Sequence, residues 1–368
     1  MAAPNNYYVD PLNGDDTTGD GLSDGTAWQT LAKAAATISR DTTDGDRINV
    51  KDSATATVTA ALALAGSSTA PWIIQGYTST SGDGGIGVIS GGGTVSIYSN
   101  AAGTGILFMD LELTNTGANT IVLCDNFCRF VNVYFHDTTG DGIDADNMVD
   151  VFNCRLENIG GVGVNAFYGH VSHCYFANGA NSFTTAVTLT SALQQHCVVC
   201  SNIFNLSGTS AGVSISANDA GASVFGNSFF TSGTGTALDL TTDANAGAGN
   251  LVANNLFEGW TLGLDLSAAT TQSVTIVQGN AGFDNDTDFD ISAEIVLVGD
   301  NEALAASPFA KSGAATFANR NTYFKPVDTG NVLSPAGGLT GAKGAVQPGF
   351  VESGGGASLI GGGLVHVG

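Results

Sequence analysis

Large apolar residues recur at the ends of short alternating segments through the middle of the chain. The series reads Val133-Tyr134-Phe135, Cys154-Arg155-Leu156, Cys174-Tyr175-Phe176, Asn202-Ile203-Phe204, Asn227-Ser228-Phe229 and Asn255-Leu256-Phe257. Its period is about 20–28 residues, in the range of solenoid repeats. Leu113 and Phe283 extend it at either end. A second motif follows each segment: a small residue, an apolar one, a polar one, then an apolar or small one. It runs from Gly142-Ile143-Asp144-Ala145 and Gly163-Val164-Asn165-Ala166 to Gly263-Leu264-Asp265-Leu266 and Asp288-Phe289-Asp290-Ile291. A third apolar patch closes each repeat, as in Val149-Asp150-Val151, Val198-Val199, Val224-Phe225, Leu251-Val252 and Ile276-Val277. Alternation with period two marks half-buried strands, and no helical period intervenes.

Three short strands per repeat predict an all-β parallel β-helix, with coils stacked about 4.8 Å apart. Seven to ten coils would give a rod on the order of 35–50 Å long. Its core would be a set of ladders. One holds Phe135, Leu156, Phe176, Phe204, Phe229 and Phe257. Two positions earlier lies an inward column of Val133, Cys154, Cys174, Asn202, Asn227 and Asn255. Stacked asparagines can satisfy one another and the turn backbone. The cysteines of that column read as small core hydrophobes. Cys197-Val198-Val199-Cys200 follows His196, but no second CxxC exists to complete a zinc site.

Composition narrows the partners. The 368 residues include 51 glycines, only 12% are charged, and the net charge is −23. Such a chain repels nucleic acid and an anionic membrane surface, and no apolar run is long enough to span a bilayer. Nothing resembling an export signal precedes Tyr7-Tyr8-Val9, the first expected strand.

These ladders resemble those of the right-handed parallel β-helix proteins of the pectate-lyase-like superfold. The N-terminus is similar too: a Gly/Asp turn after Val9, then Trp28–Ala34 as a short amphipathic helix with Thr26 as its N-cap, then Gly45–Val50 and Pro71–Gly76 as opening strands. The resemblance implies an N-terminal strand and capping helix over 1–50, coils over 51–300, and a closing segment over 301–347 that includes Tyr323-Phe324-Lys325-Pro326. Residues 348–368 form a Gly-rich tail. Its Phe350, Val351, Leu359, Ile360, Leu364 and Val365 are expected to dock on other subunits as an assembly arm.

Many members of the superfold cleave polysaccharides, lyases with calcium and a basic residue, hydrolases with paired carboxylates. No catalytic motif of either kind stands intact here, which favours a structural role. The residues that would carry chemistry are outward positions of adjacent coils. Tyr134, Arg155 and Tyr175 form one column, His136 and Glu157 the next, with Asp137, Asp141 and Asp144 on the following turn and strand. Tyr134 and Tyr175 would line a glycan groove; Glu157, Asp141, Asp144, His136 and Arg155 would act in it. Asp15, Asp16, Asp20 and Asp24 form an acidic loop that could hold calcium, as could Asp284–Asp290, although Asp/Gly turn chemistry alone accounts for both. No other cofactor is expected.

An extracellular type of fold without an export signal fits a particle released by lysis. The leading expectation is therefore a phage virion structural protein, a head decoration, spike or tail fibre component on the virion surface. It would contact other virion proteins and copies of itself, a trimer being one form, and possess a further partner in cell-surface glycan. The alternative is a polysaccharide-degrading enzyme, free or as a tailspike.

Overall fold

Strand pairing throughout the described chain is parallel and joins segments one coil apart. The computed structural model describes residues 4–311 except 40, 65, 68, 192–195, 218–220, 243–249, 268–274, 292–295 and 300, together with 318 and 324. The result is a right-handed parallel β-helix of about nine turns. The assembly-arm residues Phe350, Val351, Leu359, Ile360, Leu364 and Val365 lie outside the described residues.

The three sequence motifs become three faces. The first face carries Tyr134↔Arg155, Arg155↔Tyr175 and Tyr175↔Ile203 in register. The second carries Asp144↔Asn165, Asn165↔Thr188 and Ser214↔Asp239. The third begins with Asn5–Val9 on Asp46–Lys51 and continues through Trp72–Tyr77 to Cys197–Cys200, Ala222–Phe225 and beyond. Alternate residues on each face point inward because the side-chain period of a strand is two.

The ladders form as the repeats require except at Phe283, which faces Glu258 on the outside while Gly282 takes the rung after Phe257. Phe176, Phe204, Phe229 and Phe257 stack with ring centroids 4.8, 4.6 and 5.1 Å apart. The asparagine column runs further than the repeat motif indicated, from Asn202 through Asn227, Asn255 and Asn280 to Asn301. The backbone N–H of each of the first four donates to the side-chain oxygen of the next asparagine at 3.0 Å. All five side-chain amides donate inward to a third-face carbonyl, as Asn227 Nδ2 does to Val199 at 2.9 Å. All six cysteines are free; five are buried, and burial pushes the Cys197 thiol up to about 11.

The bend from the third face into the first needs a left-handed residue in each coil. Asp110, Asn132, Asn153, His173, Ser201 and Asn254 hold it with φ of 52–58°. Gly226 and Gly279 take the same place with φ of 64° and 67°. Asn, Asp and Gly tolerate this region best, and each sits immediately before an inward ladder position.

The N-terminal helix differs from its expected position. It spans Leu31–Thr37, and Thr30 caps it by accepting the Lys33 N–H at 3.1 Å. Thr26 instead ends a 3-10 turn, Asp24–Thr26, and Trp28 bridges to Val9 as extended chain. Leu31 and Ala34 are the helix residues that bury, joining Val9 and Trp28 in the main core.

At the other end Glu302–Ala303 adds a rung to the first face. The chain then returns over the outside of that face. Leu304, Phe309 and Phe324 pack with the outward residues Tyr175, Ala177, Ile203, Leu256 and Ala281 in a second apolar cluster. Glu258, 3% exposed, is held there by the Ser307 hydroxyl at 2.7 Å and by Lys311.

Candidate functional site

The covering segment leaves the earlier coils of the first face open. On that open strip the chain brings together Glu112, Tyr134, His136, Asp137, Arg155 and Glu157. Glu112, Tyr134 and Arg155 are register neighbours, and His136 faces Glu157 on the next rung. The strand alternation that buries Leu113, Phe135 and Leu156 turns Glu112, Tyr134, His136, Arg155 and Glu157 outward, and Asp137 joins them through a left-handed bend at φ 60°.

Two linked groups result. The His136 ring stacks on Tyr134 at 4.2 Å between centroids. Its Nε2 lies 3.0 Å from Glu112 Oε1 and its Nδ1 2.9 Å from Asp137 Oδ2. Tyr134 Oη donates to Glu157 Oε2 at 3.2 Å, and Arg155 Nη2 donates to the same oxygen. The Arg155 guanidinium sits 4.1 Å over the Tyr134 ring. Asn158 donates to Asp137 from the following rung.

Electrostatics make His136 a proton store. Burial alone would lower its pKa, but hydrogen bonds to Glu112 and Asp137 outweigh it and raise the pKa above the ordinary imidazole value. Glu112 is held below the usual carboxylate range by its bond to His136, against a smaller effect of burial. For Asp137, burial opposes, and the bonds from Asn158 and His136 prevail to lower the pKa. Tyr134 is raised, by burial first and then by Glu157. Because the folded pKa of His136 lies above its unfolded value of about 6.5, its stabilisation is complete below that pH. It fades as pH rises through the folded pKa. The stability difference between the wild type and His136→Gln is therefore expected to shrink as pH rises above about 6.5, as measured by urea unfolding across pH. A difference independent of pH would contradict the ionic clamp.

Other sequence candidates are placed elsewhere. Tyr175 follows Arg155 in the column, but it is 1% exposed beneath the covering segment and accepts a bond from Asn205 at 3.1 Å. That burial corrects the expectation of a groove contact there. Asp141 accepts the Val162 N–H at 2.6 Å in the turn, and Asp144 accepts from Asn165 on the second face at 2.9 Å. The turn therefore separates both carboxylates from the His136–Glu157 strip.

The acidic loop does not converge either. Asp15 accepts Thr17 and Thr18 N–H groups, Asp16 those of Gln29 and Thr30. Asp20 takes the Thr26 hydroxyl, and Asp24 takes Lys51 and the Tyr77 hydroxyl. Among the described residues no three His, Cys, Asp or Glu side chains form a metal-binding group. Glu112 was missed in the sequence, though its place immediately before Leu113 matches that of Tyr134 before Phe135.

No protein-family model and no curated protein matches the chain. Solved structures do. Pectate lyase Pel9A is 13% identical, with a TM-score of 0.55, over 95% of this chain and 98% of that one. A rhamnogalacturonan lyase is 12% identical with a TM-score of 0.43, over 89% of this chain and 96% of that one. The GH136 lacto-N-biosidase from Eubacterium ramulus is 12% identical with a TM-score of 0.42, over 82% of this chain and 67% of that one. The likeness to pectate lyase Pel9A supports the parallel β-helix fold. At such identities the likeness speaks for the fold alone, and function has to be argued from the residues of the strip.

Proposed function

We propose that the protein binds a glycan chain along the open strip of the first face and hydrolyses it there. The observation that carries this reading is the pairing of a proton-retaining His136 with the carboxylate of Glu157 on adjacent rungs, about 4.8 Å apart along the stack. Substrate displaces Glu112 from His136 Nε2, and that N–H then passes its proton to the leaving glycosidic oxygen. Glu157 takes a proton from the water that adds to the anomeric carbon. Arg155 and Tyr134 hold Glu157 in place, and the Tyr134 ring forms a wall for the sugar. Hydrolysis is favoured over elimination by charge. The strip carries three carboxylates against two basic groups, and the chain as a whole carries −23. A polyuronate would meet repulsion; a neutral glycan would not.

The test is a panel of neutral and acidic polysaccharides, with products read for new reducing ends and for ultraviolet absorbance. Reducing ends without an unsaturated chromophore support hydrolysis. An unsaturated product would replace hydrolysis by elimination, and no product from any polymer would overturn the reading.

A structural component of a virus particle is the second reading. The continuous asparagine and phenylalanine ladders favour it, since they make a stiff rod. Light scattering of the full chain and of a chain ending at Gln347 decides. A defined oligomer that collapses on truncation supports it; monomers in both remove it.

A further inference from the structure

The strip leaves unexplained a cleft on another side of the rod. It lies at the corner between the second and third faces, has a volume of about 260 Å³, and is lined by Pro71, Ile106, Phe127, Arg129, Met148 and Asp150 among others. The bend between the third and first faces separates it from Glu157.

Three features of this cleft go beyond packing. The first is an exposed aromatic. Phe127 is 42% exposed and held at φ 54°, a left-handed conformation that a bulky side chain rarely adopts. Phe152 and Phe167, each 44% exposed, lie on coils beside it. The second is a polar row between these aromatics: Arg129, Asp150 and His170 are register neighbours on three successive rungs. Arg129 Nε donates to Asp150 Oδ2 at 2.9 Å. The third is an unsatisfied acceptor. Asp150 Oδ1 is buried without a hydrogen bond, its nearest polar neighbour being His170 Nδ1 at 3.4 Å.

A sugar ring presents an apolar C–H face and a rim of neighbouring hydroxyls. Aromatic rings take the first; a carboxylate beside a guanidinium takes the second, accepting and donating in one plane. Asp150 already neutralises Arg129, so a charged ligand gains little here, whereas a hydroxyl that displaces the exposed His170 ring would supply the donor that Asp150 Oδ1 lacks. Three rungs span on the order of 10 Å, room for about two sugar rings. We propose that this cleft is a second, non-cleaving binding subsite for a neutral glycan chain, with Phe127 as its platform and Asp150 and Arg129 as its hydroxyl contacts. The proposal does not rest on cleavage at Glu157.

Affinity gel electrophoresis tests it, with galactomannan and xyloglucan as neutral probes and polygalacturonate as the acidic one. A neutral probe should retard the wild type, and Phe127→Gly and Asp150→Asn should each weaken that retardation about tenfold. The glycine variant separates binding from folding. Glycine accepts φ 54° without strain, so its thermal stability should equal or exceed that of the wild type while the platform is lost. Equal retardation of wild type and Phe127→Gly, or none of the wild type by either neutral probe, would overturn the subsite. Retardation by polygalacturonate alone would overturn its assignment to neutral chains.

Discussion

Replacing Asn227 with alanine is expected to lower the unfolding free energy by about 3–5 kcal/mol, the sum of several buried groups each losing a partner at about 1–3 kcal/mol. Asn227 is fully buried. Its Oδ1 accepts both the backbone N–H and the side-chain amide of Asn202, each at 3.0 Å. Its own amide donates to Val199, Phe225 and Asn255. Alanine leaves the Asn202 N–H and the Val199 carbonyl without these partners, in a place where water can reach them only by opening the coil. Asn165→Ala is the control. Asn165 sits on the outside of the second face, where its bond to Asp144 faces solvent on one side. Its loss should stay within about 1 kcal/mol. Urea denaturation followed by circular dichroism measures both. Equal losses at the two sites would mean that the ladder contributes no more than a surface bond.

Glu157→Gln is expected to lower turnover of the cleaved glycan by about 10²–10⁴-fold, the usual contribution of a positioned acid or base. The amide keeps the size of the side chain and an oxygen for Arg155 and Tyr134, so the strip should stay assembled and glycan binding should persist. Tyr134→Phe keeps the ring and removes only the hydroxyl that bonds Glu157 at 3.2 Å. Its loss should be nearer tenfold, as one hydrogen bond to a charged group is worth about 1.5–3 kcal/mol at most. Asp141→Ala tests the placement. Its carboxylate accepts the Val162 N–H in the turn, so the variant should lose stability and keep its turnover at temperatures where it is folded. Full activity in Glu157→Gln, or a hundredfold loss in folded Asp141→Ala, would move the chemistry off the strip.

The repeat made the fold legible because a solenoid writes the same three-strand pattern many times. A single Phe-ending segment says little; six of them at similar spacing define a coil. The asparagine column was readable for the same reason, and Asn280 and Asn301 escaped only because the residues two places on are Gly282 and Ala303 rather than large apolar ones. The left-handed bend was harder to see, since Asp, Asn, His, Ser and Gly share the position and no one residue type marks it. Register placed His136 beside Glu157 correctly, because neighbours across a rung follow directly from the alignment of coils. What the pattern could not give was cover. Tyr175 and Tyr134 look alike in the repeat, and only the returning segment around Phe309 and Phe324 buries one and leaves the other open. The carboxylates Asp141 and Asp144 failed as partners of Glu157 for a related reason: they are near in sequence but lie beyond a turn.

The most direct measurement is a crystal structure of Glu157→Gln soaked with an oligosaccharide of whichever polymer the wild type cleaves. Sugar density is expected along the first face, with a ring against Tyr134 and the scissile oxygen within hydrogen-bonding reach of His136. Density confined to another face, or an empty strip at saturating oligosaccharide, would contradict it.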